Sequence, residues 1–138
     1  MRSLQALLAL FACAFLPLHA ADLSDLAWTE DGDQVTITDC DEAATGLLVI
    51  PSIIEGKSVV SIAPNAFRSC TSLTNITIPD GVPSIDCNTF SDCNSLTSIT
   101  IPTSVTDIGQ WAFSGCSTLA RITITGSAKV VGRDCWRI

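Results

Sequence analysis

A 23-residue unit that returns in phase constrains this chain more than any other feature. Residues 78–100 read IPDGVPSIDCNTFSDCNSLTSIT and residues 101–123 read IPTSVTDIGQWAFSGCSTLARIT. An earlier copy spans 50–77, with five extra residues in the region 53–57, and a partial copy spans 124–138. Chemically alike residues fall into columns: Phe67, Phe90, Phe113 and Trp136; Cys70, Cys93 and Cys116; Leu73, Leu96 and Leu119; Ile62, Ile85, Ile108 and Val131. The pairs Ile76/Ile78, Ile99/Ile101 and Ile122/Ile124 complete the set. A unit this short cannot bury its apolar side alone, so successive units must stack and share their columns as core.

Spacing within the unit sets its local structure. Ile-Thr-Ile alternates with period two and is β-branched, which makes a short strand with Thr outward. Pro51, Pro79 and Pro102 follow it and end it, because proline offers no backbone donor. Phe90, Cys93 and Leu96 recur at intervals of three, the spacing of a short 3₁₀ or irregular helical turn with one buried side. Ahead of the units, residues 27–38 read AWTEDGDQVTIT, in which Asp31-Gly32 separates two strand-like segments. That is a β-hairpin signal. It predicts an N-terminal β-hairpin cap over the open end of the stack.

The first twenty residues are read apart from this domain. Met1-Arg2 is followed by an apolar run from Leu4 to Leu18 and by Ala20-Ala21, the layout of a secretory signal peptide. The organisation is therefore 1–20 signal peptide, 21–49 cap and hairpin, 50–138 repeats. Without Arg2, six basic and fourteen acidic residues remain, a balance of −8, and eight of the acids lie between Asp22 and Glu42. Such a chain lacks the Lys and Arg that nucleic-acid phosphates require. Nor does it suit anionic lipid. No nucleic-acid partner, and no membrane span once the signal is removed, is expected.

The string IPxSVTxIGxxAFxxCxxLxxIT, matched almost letter for letter by residues 101–123, resembles the BspA-type leucine-rich repeat. The resemblance runs from Val35 to Trp136, and the opening Ile37-Thr38-Asp39-Cys40 through Leu48-Val49-Ile50-Pro51 is similar to the start of such arrays. It implies a leucine-rich-repeat solenoid, with short parallel strands forming one sheet. It also implies a secreted or cell-surface protein, similar to adhesins that bind host or matrix proteins. Arrays of this family are often far longer and carry an anchoring segment. A truncated gene product is thus one expectation for this chain.

Catalysis is not expected. Once the signal is removed the chain has no His and no Tyr, and its lysines are Lys57 and Lys129. General acid–base chemistry most often uses His, and a Cys nucleophile needs a base beside it. No Gly-rich phosphate loop or His/Cys metal cluster is present in the sequence, so no cofactor and no metal is expected. Cys70, Cys93 and Cys116 read as small buried apolar residues, although stacking would also place them close enough for a disulfide. Cys87 shares its column with Pro64, Gln110 and Arg133, which predicts exposure and leaves open a pairing with Cys40 or with another chain. Asn75-Ile76-Thr77 fits a glycosylation acceptor. Asp31-Gly32-Asp33 reads as a hairpin turn, since it lacks the further ligands of a calcium loop.

The outward side of the strands is the expected binding face. Thr77, Thr100 and Thr123 form one ladder; Asn75, Ser98 and Arg121 form another. Thr also serves strand propensity alone. Trp111 joins the candidates because Asn65, Asn88 and Asp134 hold the equivalent places, all polar and expected to face solvent. Three function classes follow: a non-catalytic module recognising a protein or glycan through its sheet face; a structural spacer or fragment of a longer array with no partner of its own; and a hydrolase, the least favoured.

Overall fold

The structure is a computed structural model that describes residues 21–126 and the backbone of 129–130; residues 1–20, read above as a signal peptide, and the later part of the partial repeat, including Val131, Arg133, Asp134 and Trp136, lie outside the described residues. The chain opens on a single 3₁₀ turn, Leu23–Asp25, closed by a reciprocal cap. The Asp22 carboxylate accepts from Ser24 N at 2.8 Å, and Asp22 N donates to Asp25 Oδ2 at 2.9 Å.

Eleven strands follow among the described residues: β1 Leu26–Asp31, β2 Gln34–Cys40, β3 Gly46–Val49, β4 Ile53–Ile54, β5 Lys57–Ile62, β6 Leu73–Thr77, β7 Ser84–Ile85, β8 Ser98–Ile101, β9 Asp107–Ile108, β10 Arg121–Ile124 and β11 Lys129–Val130. The Ile-Thr-Ile strands share one sheet, as the repeat requires. Its order is β10-β8-β6-β3, all parallel, with Ile122 beside Ile99 and Ile99 beside Ile76. A second row, β11-β9-β7, runs parallel along another side of the coil. Neither this row nor a strand at Ser84–Ile85 is legible in the repeat, because two residues give no alternation to read.

The β1–β2 hairpin forms at the expected place, turning at Gly32, whose φ of 60° suits glycine. It is built into a sheet rather than merely lying on the stack: β2 pairs in parallel with β5, giving a mixed sheet of order β1-β2-β5-β4. The extra residues at 53–57 also have a form. β4 and β5 make a second antiparallel hairpin through Glu55-Gly56, with φ of 51° and 79°, the two left-handed residues of a type I′ turn.

The partial repeat departs from strict period. β11 pairs Val130, not Val131, with Ile108, one residue earlier than the 23-residue column places it. β10 still pairs at 23. The chain from β10 to β11 is therefore one residue shorter than the chain from β8 to β9.

The core is a bundle of ladders. Phe67 and Phe90 stack at 5.3 Å between ring centres and Phe90 and Phe113 at 5.5 Å, with their planes nearly parallel in each case. Ile62, Ile85 and Ile108 are buried, as are Leu73 and Leu96, while Leu119 and Ile122 are partly covered. Successive turns are joined by backbone bonds: Phe67 N donates to Thr89 O at 2.9 Å and Phe90 N to Ala112 O at 2.8 Å. Threonine hydroxyls add rungs, from Thr97 to Thr74 O at 2.9 Å and from Thr106 to Pro83 O at 3.3 Å. Gly109 marks a close approach of two coils, for a Cβ there would lie 2.9 Å from the backbone of Asp86 and Cys87.

Candidate functional site

The parallel sheet β10-β8-β6-β3 presents one side to the core and one outward. Ile76, Ile99 and Ile101 point in and are buried. The alternate residues point out, and the register aligns them in two rows. Asn75, Ser98 and Arg121 pair across β6, β8 and β10, and so do Thr77, Thr100 and Thr123. Parallel pairing sets neighbouring rungs roughly 4.8 Å apart. Arg121 and Thr123 are exposed; the other four are half-buried between their neighbours. The sheet thus brings together six of the seven sequence candidates.

Trp111 lies apart from them. It sits in the turn after β9, in a stack with Asn65 and Asn88 held by bonds from Asn65 N to Cys87 O and Asn88 N to Gln110 O. The column has a conformational cause that polarity alone did not reveal. Asn65, Asn88 and Trp111 all have left-handed backbones, with φ of 63°, 57° and 54°. Asparagine tolerates that region and tryptophan does not. Trp111 is 42% exposed.

The two outward rows continue onto β3, where Leu47 pairs with Asn75 and Val49 with Thr77. Leu47 is 45% and Val49 57% exposed. The face therefore begins apolar, becomes polar, and ends at a cation. Sequence reading missed this end because Leu47-Leu48-Val49-Ile50 is apolar at every position, leaving no alternation to tell inside from outside.

The buried cysteines among the described residues are structural. Cys70, Cys93 and Cys116 are buried, and Cys40 precedes them as a fourth buried member of the column. Cys93 Sγ donates to Phe67 O at 3.1 Å and Cys116 Sγ to Phe90 O at 3.0 Å, so each thiol ties its coil to the one before. A hydrogen bond with Cys70 and burial push the Cys40 thiol well above its ordinary value. Contact with Cys116 and burial do the same to Cys93, while the bond from Cys93 draws Cys116 down. Cys87 is exposed, and both it and Cys40 are free thiols. The pairing of Cys87 with Cys40 is not formed, because Cys40 is enclosed beside Cys70.

The remaining polar groups stabilise turns and edges. Asp31-Gly32-Asp33 forms the β1–β2 turn. Lys57 pairs with Glu30 across the hairpin sheet, and Arg68 approaches Asp92 at 3.8 Å. Among the described residues no cluster of three or more His, Cys, Asp or Glu side chains is arranged to hold a metal ion. No helix among them is long and apolar enough to cross a membrane.

Comparison with known proteins agrees with this geometry. Residues 47–137 match the family described as "BspA type Leucine rich repeat region (6 copies)". The fold is similar to that of a leucine-rich-repeat protein of T. pallidum, with a TM-score of 0.73 and 25% identity over 86% of this chain and 67% of that one. It is also similar to a leucine-rich cell surface protein of Faecalibacterium prausnitzii, with a TM-score of 0.62 and 29% identity over 79% of this chain and 32% of that one. No curated protein matches the sequence.

Proposed function

The chain belongs to the BspA-type leucine-rich repeat family, and from that premise we propose that it is a non-catalytic recognition module of the cell exterior. It engages a protein or glycan through the outward face of β3, β6, β8 and β10. The observation that carries this reading is the face itself. Four parallel strands hold Asn75, Thr77, Ser98, Thr100, Arg121 and Thr123 on one rigid surface, and its apolar end adds Leu47 and Val49. Rigid side chains lose little entropy on binding. A surface that mixes apolar contact with hydroxyls and a cation suits protein or sugar better than nucleic acid, which demands an excess of positive charge.

An exterior location is supported by the signal-like segment 1–20 and by the description of the F. prausnitzii neighbour as a cell surface protein. The test is direct. The purified protein is presented to immobilised extracellular-matrix proteins and to a glycan array, beside a Thr77→Lys/Thr100→Lys double variant. The expected outcome is a ligand bound by the parent and lost at least ten-fold by the variant with its melting temperature kept. Binding that survives both lysines would move the site off this face. The absence of any ligand would favour a spacer within an array.

A further inference from the structure

We propose that the turn flank around Trp111 is a second binding site, specific for neutral saccharides. The inference rests on reading the protein as a recognition module, but not on its sheet face. Three observations meet at this flank.

The first is backbone strain. Trp111 holds a φ of 54°, in a column where Asn65 and Asn88 hold 63° and 57°. Asparagine reaches that region through local hydrogen bonding of its short side chain, whereas the bulk of an indole gains nothing from it. Backbone conformation thus gives no reason for tryptophan here, and strain kept at an exposed residue points to function.

The second is exposure. Trp111 is 42% exposed, while its neighbours Ala112 and Phe113 are buried. The backbone of its turn is tied down, because Ser114 N donates to Trp111 O at 3.1 Å and Phe90 N to Ala112 O at 2.8 Å. An exposed indole on such a turn can accept the C–H face of a pyranose ring, through the negative face of its π-system.

The third is the surroundings. Asn88 N donates to Gln110 O at 3.2 Å, which places Asn88 in the Trp111 column on the adjoining coil, and Asn65 holds the same column one coil further. An amide offers two donors and an acceptor, which matches vicinal hydroxyl groups. Asp86, Asp92 and Asp107 lie on the same two coils, and the chain as a whole carries a net charge of −7. That field disfavours uronic or sulfated sugars, so the ligand class is a neutral glycan.

The test uses this chain and four probes: cellohexaose, laminarihexaose, mannohexaose and chitohexaose. Binding is read by tryptophan emission and by retardation in gels containing the parent polysaccharides. At least one hexasaccharide is expected to bind at millimolar or lower concentration with a blue shift of emission. Trp111→Asn should weaken it ten-fold or more while raising the melting temperature. Asn88→Ala should weaken it several-fold, and Thr77→Lys/Thr100→Lys on the sheet face should leave it unchanged. The proposal fails if no hexasaccharide binds, if Trp111→Asn binds as the parent does, or if the flank binds only proteins. It also fails if Trp111→Asn lowers the melting temperature, since the indole would then be structural. Loss of sugar binding in the sheet-face variant alone would retain the sheet as the site and remove this one.

Discussion

At the scale of single residues, backbone conformation decides what side-chain character alone cannot. The column Asn65, Asn88, Trp111 looks like a row of solvent-facing polar places interrupted by an oddity. It is a row of left-handed residues, and the asparagines are there because they tolerate positive φ. Trp111→Asn should therefore not be neutral. It should stabilise the protein by about 1 kcal/mol, the strain of a left-handed residue bearing a large Cβ substituent. A urea midpoint unchanged or lowered would show that indole packing compensates. The same logic applies at Glu55, which has a φ of 51° as the first residue of the β4–β5 turn. Asn-Gly is the preferred pair for this turn. Glu55→Asn is expected to add roughly 0.5–1 kcal/mol, measured by thermal unfolding.

At the scale of elements, the buried cysteines act as a structural column with a chemical signature. Among the described thiols, only Cys87 is exposed, so a thiol reagent should label it within seconds in native buffer. Cys40, Cys70, Cys93 and Cys116 should label only when the protein opens. Fast labelling of any of the four, followed by mass spectrometry, would show that the column is not closed. The hydrogen bond with Cys70 and burial raise the Cys40 thiol in the folded state. A thiol raised on folding gives its full stabilisation below its unfolded value, roughly 8.5, and loses it as the pH climbs beyond. Stability should fall from about pH 8.5 upward for this reason, and the chain has no tyrosine to titrate there. Cys40→Ala should lower the urea midpoint at pH 7 yet flatten its decline toward pH 10. An equally steep decline would assign the alkaline limb to other groups.

At the scale of the whole molecule, each coil contacts only its neighbours, so stability is a sum of coils and the interfaces between them. Phe90 belongs to the middle of the stack, with a ring above at 5.5 Å and one below at 5.3 Å. Phe90→Ala should cost about 3–5 kcal/mol, the usual loss for a buried aromatic. It removes two ring contacts at once, and a small domain has little stability in reserve. The variant should be largely unfolded at room temperature by circular dichroism. A melting curve that overlays the parent's would mean that the aromatic ladder is not what joins the coils.

Much of this was legible in the chain itself. A 23-residue period with Phe, Cys, Leu and Ile in phase leaves stacking as the only way to bury those columns, and alternation in Ile-Thr-Ile separates the inward from the outward residues. Hence the ladder strands, the hairpin cap and six of the outward residues could be read directly. What only the tertiary structure decided depends on geometry that letters do not encode. Leu47 and Val49 face outward because β3 pairs in register with β6, although nothing in an all-apolar segment says which side is which. Val130 replaces Val131 beside Ile108 because the loop before it is one residue short. Cys40 joins the thiol column through the packing of the cap, outside any repeat. Trp111 is set apart from the sheet face, in a strained turn, by the path of the coil after β9. Periodicity specifies which residues recur together; the direction each one faces follows from strand pairing and φ, and those exist only once the coils have stacked.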